Sequence, residues 1–198
     1  MTAETLNAAS DPKSNIGQGE PPALSLCPNP GDDILALIYL QAKTENLLGA
    51  MFWEKTPELT AFLAWCKRPE IVTVACYCGG FIAGFGWLDN IKVRAGKKLG
   101  DAGELFFRQY QVKGVTPQFG RMLLDYAFES LKADCVYGTT PADNLPALHY
   151  MRQARFVHLP PLPMICCFRG ESCPGVLSYL TRETWESRRT DLRGLVVI

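Results

Sequence analysis

The chain of 198 residues has no net charge, only two histidines, no CxxC pair and no long apolar run. Twenty basic residues balance twenty acidic ones, so no overall field draws the molecule to nucleic acid or to an anionic membrane. Arg94, Lys97 and Lys98 form one short basic cluster without interleaved aromatics, which reads as solvated loop charge and argues against a nucleic-acid partner. No apolar stretch approaches the roughly 20 residues that cross a bilayer as a helix, so no membrane partner is expected. The N-terminus shows no basic and apolar leader, and the eight cysteines are read as free thiols in a reducing cytoplasm rather than as a disulfide framework. Cys76 and Cys78 share a strand face, while Cys166 and Cys167 point to opposite faces. His149 and His158 do not cluster with them, so no metal site is expected. Aromatics are absent up to about residue 30, and residues 1–31 read as a flexible tail.

What is present suits a single domain with a sizeable core. Asp32 or Asp33 can cap a helix carrying Ile34, Leu37, Ile38 and Leu40, and Thr56-Pro57 reads as the start of a second helix with Leu59, Phe62, Leu63 and Cys66 on one side. IVTVACYC and FIAGFGWL flank Gly79-Gly80 as a hairpin. The polar DNIKVRAGKKLGD is a loop or an edge extension, and AGELFFRQYQ resumes the sheet. From Thr116-Pro117, apolar residues at Phe119, Met122, Leu123, Tyr126, Ala127 and Leu131 repeat at three and four, the pattern of an amphipathic helix. CVYGTTP is a strand, NLPALHYMRQA a helix, and RFVHL and MICCFRG the last strands. Helices alternating with strands indicate a mixed α/β (α+β) sheet protein. Trp185 is the one large apolar anchor of the charged segment TRETWESRRTDLR.

From Ala102 to Phe156 the order and spacing resemble the core of the GCN5-related N-acetyltransferase superfamily. Sixteen positions after Glu104 stands Gly120, and Asn144, Ala147 and Phe156 keep the family's spacing after the second strand. The resemblance implies a domain over 32–170, with 171–198 as a C-terminal extension. It also implies a central mixed sheet in which parallel strands, here Glu104 to Val112 and Cys135 to Thr140, splay to form a cleft for acetyl-CoA.

By the same resemblance the cofactor contacts are Tyr110, Val112, Phe119, Gly120, Arg121 and Asn144. Backbone N–H groups at a helix start would hold the pyrophosphate, and a strand N–H near Tyr110 would polarise the acetyl carbonyl. Tyr150 is the implied proton donor to the departing thiolate, and Glu104 the implied base for the amine. The chain departs from the pattern at Val115, Gln118, Met151 and Arg155, and Pro117 removes one N–H from the phosphate turn. The family's tyrosine position is Met151, and Tyr150 comes one residue early.

The resemblance implies acetyl transfer from acetyl-CoA to a primary amine, on a small molecule or a protein, in the cytoplasm. A second reading keeps the fold and drops the chemistry, making a structural or interaction protein. Such a protein would form a homo-oligomer or larger assembly, and could be encoded by a phage and carried in the virion. MFWEKT (51–56) would line an acceptor pocket or pack as core or lid.

Overall fold

The computed structural model describes residues 23–51, 56–94, 96–111, 115–166 and 171–194. Its strands are β1 (Leu24–Pro28), β2 (Val72–Cys78), β3 (Phe81–Arg94), β4 (Lys97–Phe106), β5 (Cys135–Pro141), β6 (Val157–His158), β7 (Leu162–Cys166) and β8 (Glu171–Thr181). Its α-helices are α1 (Asp32–Thr44), α2 (Leu59–Cys66), α3 (Val115–Asp125), α4 (Leu145–Gln153) and α5 (Arg182–Gly194). One sheet runs in the order β1-β2-β3-β4-β5-β8-β6, with β7 also pairing β8. Among the described residues only β4 and β5 are parallel. This is the mixed α/β architecture expected from the alternation of periods.

The β2–β3 hairpin turns at Gly79 and Gly80, whose φ values of 59° and 86° are readily adopted by glycine. DNIKVRAGKKLGD proves to be an edge extension, since β3 and β4 pair out to Arg94↔Lys97 across a register shift between Asp89 and Lys92. One face of the sheet carries α1 and α2, whose Tyr39, Phe62 and Trp65 pack ring on ring toward Phe85 and Trp87 of β3. The buried side of α1 is Leu35, Ile38, Tyr39 and Ala42, whereas Leu37 and Leu40 are exposed. Thr56-Pro57 precedes α2, which begins at Leu59 with Glu58 as its N-cap. Pro57 instead offers its carbonyl to the Tyr39 hydroxyl at 2.8 Å.

The opposite face carries α3. Phe119 is fully buried and meets Phe106 edge-on at 5.0 Å. The helix loosens into a π-helical turn at Tyr126–Ser130, and α5 docks there. Trp185 stacks on Phe128 at 5.1 Å and donates to the Asp125 carboxylate, while Arg182 donates to the carbonyls of Phe128 and Ala133.

Three expectations are corrected. The strand read as Glu104 to Val112 stops at Phe106. Phe107 N–H still reaches the Ala83 carbonyl, but the chain then curls into a 3₁₀ turn over Arg108–Tyr110. The boundary at Gly170 divides the sheet from one of its inner strands, because β8 lies between β5 and β6. On the other side, Leu24–Pro28, placed in the tail, adds β1 to the edge. Residues 1–22, 52–55, Val112 and Cys167 lie outside the described residues.

Candidate functional site

The site begins where β4 and β5 part. They share only the register Leu99↔Cys135, Gly100↔Val136 and Asp101↔Tyr137. Beyond it β4 pairs with β3 alone and β5 with β8 alone. The closed end is pinned by Asp134, whose N–H donates to the Lys98 carbonyl and whose carboxylate accepts from Lys98 N–H, both at 2.7 Å. At the parting point a side chain on residue 138 would press on the Ala102 carbonyl, 2.8 Å from a Cβ there, and Gly138 has none.

Residues of a strand alternate in the direction of their backbone groups as well as their side chains. Lys98 turns its N–H and C=O toward β5, whereas Phe107 turns its N–H toward β3. Glu104 and Phe106 therefore direct their N–H groups into the gap, beyond the last registered pair. Tyr110, expected to offer that donor, is not on the strand. Its N–H is spent on the Phe107 carbonyl at 2.8 Å, and its ring is buried in the core.

Glu104 pairs in register with Gly86 on β3, and alternation puts its side chain on the face covered by α3. Burial pushes its carboxyl up to about 7. Tyr150 reaches the same place from α4, and its hydroxyl is buried without a hydrogen-bond partner. That oxygen would lie 2.3 Å from a Cβ at position 120, so Gly120 leaves the space Tyr150 occupies. Burial, and then the Glu104 charge, raise the phenol above its usual range, while Arg188 and Arg121 pull it down. Glu104, Gly120 and Tyr150 thus converge on one spot at the parted strands.

The one-residue displacement of the tyrosine is absorbed by α4 itself. Ala147, Leu148, Tyr150, Met151 and Ala154 form its inward side, wide enough to present position 150 or 151. Asn144 is the N-cap of this helix, its side chain accepting from Ala147 N–H at 3.4 Å. At the other end Arg155 takes φ 63°, with Arg155 N–H donating to the Arg152 carbonyl and Phe156 N–H to that of Met151. This is a Schellman closure, which calls for a left-handed residue followed by an apolar one.

At the helix start, the first-turn N–H groups of α3 lack intrahelical acceptors, and these belong to Val115 and Thr116, Pro117 having none. Phe119, Gly120 and Arg121, expected to offer donors, sit in the second turn, where N–H groups are used within the helix. Phe119 is core, Gly120 is the seat of Tyr150, and only the Arg121 side chain is exposed. His149 is exposed and bonds Gln153. His158 is tied to Ser178 at 2.6 Å, away from any ligand cluster among the described residues.

The fold that carries this opening is similar to that of solved N-acetyltransferases. The spermidine N-acetyltransferase of Vibrio cholerae, solved with CoA and spermine, superposes with a TM-score of 0.72 over 82% of this chain and 98% of its own, at 16% identity. The N-acetyltransferase PseH of Campylobacter jejuni gives 0.56 over 81% and 99%, at 17% identity. The chain has the GCN5-related N-acetyltransferase fold. No protein-family model matches it, and no curated protein matches it by sequence.

Within this N-acetyltransferase fold two groups escaped the sequence reading. Asp101 closes the registered β4–β5 pairing opposite Tyr137, and burial together with Asp89 across β3 raises it to about 7. Its signal lay in a stretch read as polar loop. Arg188 comes from α5, beyond the boundary drawn at Gly170, and no local pattern sets it apart from its charged neighbours. No helix among the described residues is long and apolar enough to cross a membrane.

Proposed function

We propose that the chain transfers an acetyl group from acetyl-CoA to a primary amine at the parted β4 and β5 strands. The observation that carries this reading is the Tyr150 hydroxyl, buried without a partner on Gly120 and beside Glu104. A buried hydroxyl left unpaired costs about 1–3 kcal/mol. A thiol sulfur arriving in the gap would supply the missing partner, so the residues present fit the cofactor.

Acetyl-CoA, when bound, supplies the activated acetyl thioester. Each remaining step belongs to this chain. Glu104, with a carboxyl titrating at about 7, takes the proton of the incoming ammonium, directly or through one water, and frees the lone pair that attacks. The N–H groups of Glu104 and Phe106 face the gap and receive the negative charge that builds on the acetyl oxygen. Tyr150, held protonated by burial, passes its proton to the departing sulfur. Val115, Thr116 and Arg121 offer the phosphate contacts, and Asn144 holds the start of the helix that aims Tyr150.

The acceptor class is an amine, as in the Vibrio cholerae enzyme crystallised with spermine, and the compartment is the cytoplasm. A homo-oligomer belongs to the same reading, one Vibrio cholerae structure being described as dodecameric. No feature of the site favours the non-enzymatic alternative. Isothermal titration with acetyl-CoA, followed by thiol release with polyamines and other primary amines, tests the proposal. Absence of binding at millimolar ligand would sink it.

A further inference from the structure

We infer that the Gln111 side chain is a removable plug in the cofactor cleft: its amide holds the Phe106 carbonyl while the site is empty, and an amide of the pantetheine arm of CoA displaces it. The inference rests on the acetyl-CoA reading above and concerns how that cofactor enters and leaves.

The peptide between Phe106 and Phe107 fixes the geometry. Its N–H, on Phe107, donates to the Ala83 carbonyl of β3 at 3.1 Å. In a planar trans peptide the C=O points the opposite way, so the Phe106 carbonyl faces the gap. In a continuous sheet the next strand would supply its donor, at about 2.9 Å. β5 has already parted from β4 at this level, and the Gln111 Nε2 group donates instead, at 2.8 Å. Gln111 thus fills the place of a partner strand's backbone amide.

Beyond Phe106 the chain has little left to offer an incoming ligand. Arg108 N–H is spent on the Glu45 carboxylate at 2.6 Å, Tyr110 N–H on the Phe107 carbonyl at 2.8 Å, and Gln111 N–H on the Arg108 carbonyl at 3.2 Å. A ligand that pairs with β4 as a strand would therefore uses Glu104 and Phe106, and at Phe106 its N–H must take the acceptor that Gln111 covers. The amide-bearing arm of CoA has to pass this point. Its thioester end belongs at Tyr150 and its phosphate end at the start of α3, which β4 reaches by way of Gln111.

The exchange is balanced. Phe106 is buried, so its carbonyl needs a partner with or without ligand. Gln111 is exposed, so its amide is hydrated once released. The plug opposes the cofactor by the worth of one hydrogen bond, which lowers the affinity for CoA and helps it leave after transfer.

The test compares the full-length parent with Gln111→Met, which keeps the length and loses the donor, by calorimetric titration. The variant leaves the Phe106 carbonyl bare only when the site is empty, so it should bind CoA about threefold to tenfold more tightly and melt lower without ligand. The 3′-phospho-ADP moiety of CoA, which lacks pantetheine, should bind both proteins equally. In the parent, the NMR signals of the Gln111 side-chain amide should move to those of a free glutamine when CoA is added and stay in place with 3′-phospho-ADP. Equal CoA affinity in parent and variant overturns the plug, because Gln111 would then keep its bond in both states. Weaker binding by the variant overturns it too, since Gln111 would then be a cofactor contact. A gain shared by 3′-phospho-ADP also overturns it, because the effect would not concern pantetheine. All three outcomes leave the acetyl-CoA reading intact, whereas a parent that binds no CoA overturns both.

Discussion

The hydroxyl of Tyr150 stands 2.3 Å from where a β-carbon on residue 120 would be, and its ring carbons Cζ and Cε1 stand 2.7 and 3.0 Å away. Gly120→Ala must therefore push the ring out or move the two helices apart. Overpacking of this kind costs about 1–3 kcal/mol, and the acetylation rate should fall with it. In a Tyr150→Ala background the ring is gone and the stability cost should vanish. A double-mutant cycle read by urea denaturation checks the coupling. Additive losses would mean that the two residues do not share this space.

Tyr150→Phe separates stability from chemistry. Deleting a buried hydroxyl that lacks a partner should leave the melting temperature unchanged or raise it. Deleting a general acid should lower kcat by roughly 10²–10⁴-fold. A variant that keeps full activity would remove Tyr150 from the mechanism.

Glu104 gives the pH behaviour. A base must be ionised, so kcat/KM should rise with pH and level off above about 7, where its carboxyl titrates. Glu104→Gln should flatten that limb and lower the plateau. For stability the sign is opposite. The folded carboxyl holds its proton more tightly than the usual carboxylate, so wild-type stability falls as pH climbs from the unfolded value near 4.5 to about 7. Glu104→Gln should therefore melt higher than the parent at pH 8, by up to about 3 kcal/mol, and the gap should narrow toward pH 5. Parallel melting curves at both pH values would contradict the buried carboxyl.

Arg155 occupies a left-handed backbone position that closes α4. A side chain there costs about 1 kcal/mol relative to glycine. Arg155→Gly should raise the melting temperature by roughly 2–4 °C in a chain of this size, with Arg155→Asn between the two. Calorimetry decides, and a lower melting temperature would show that the arginine side chain contributes more than its backbone loses.

The helix over residues 115–125 and the hairpin at Gly79-Gly80 were legible because their signals are local: a three-and-four repeat in one, two adjacent glycines in the other. The Asn144 to Phe156 spacing was legible for a plainer reason than cofactor chemistry, since its ends are the N-cap and Schellman closure of a single helix. β8 was hidden because Pro174 and Gly175 interrupt ESCPGVLSYLT, and proline within a run usually argues against a strand. It is tolerated here opposite Pro163 on the short outer strand β7. Direction within the site was not legible at all. Whether Tyr150 or Met151 faces α3, and whether Tyr110 or Phe106 offers its N–H to the gap, depends on where β4 ends and how α4 is rolled.

The position of β8 also bears on the order in which the molecule is made. β5 has three registered partners on β4, already synthesised when it emerges, and seven on β8, which follows only after α4, β6 and β7. The half of the sheet from β1 to β4 can collapse with α1 and α2 while the ribosome is still translating. The other half must wait for β8, after which α5 docks. A nascent chain halted after Gly170 would carry an unzipped β5 edge, so the crevice forms only after β8 has been synthesised.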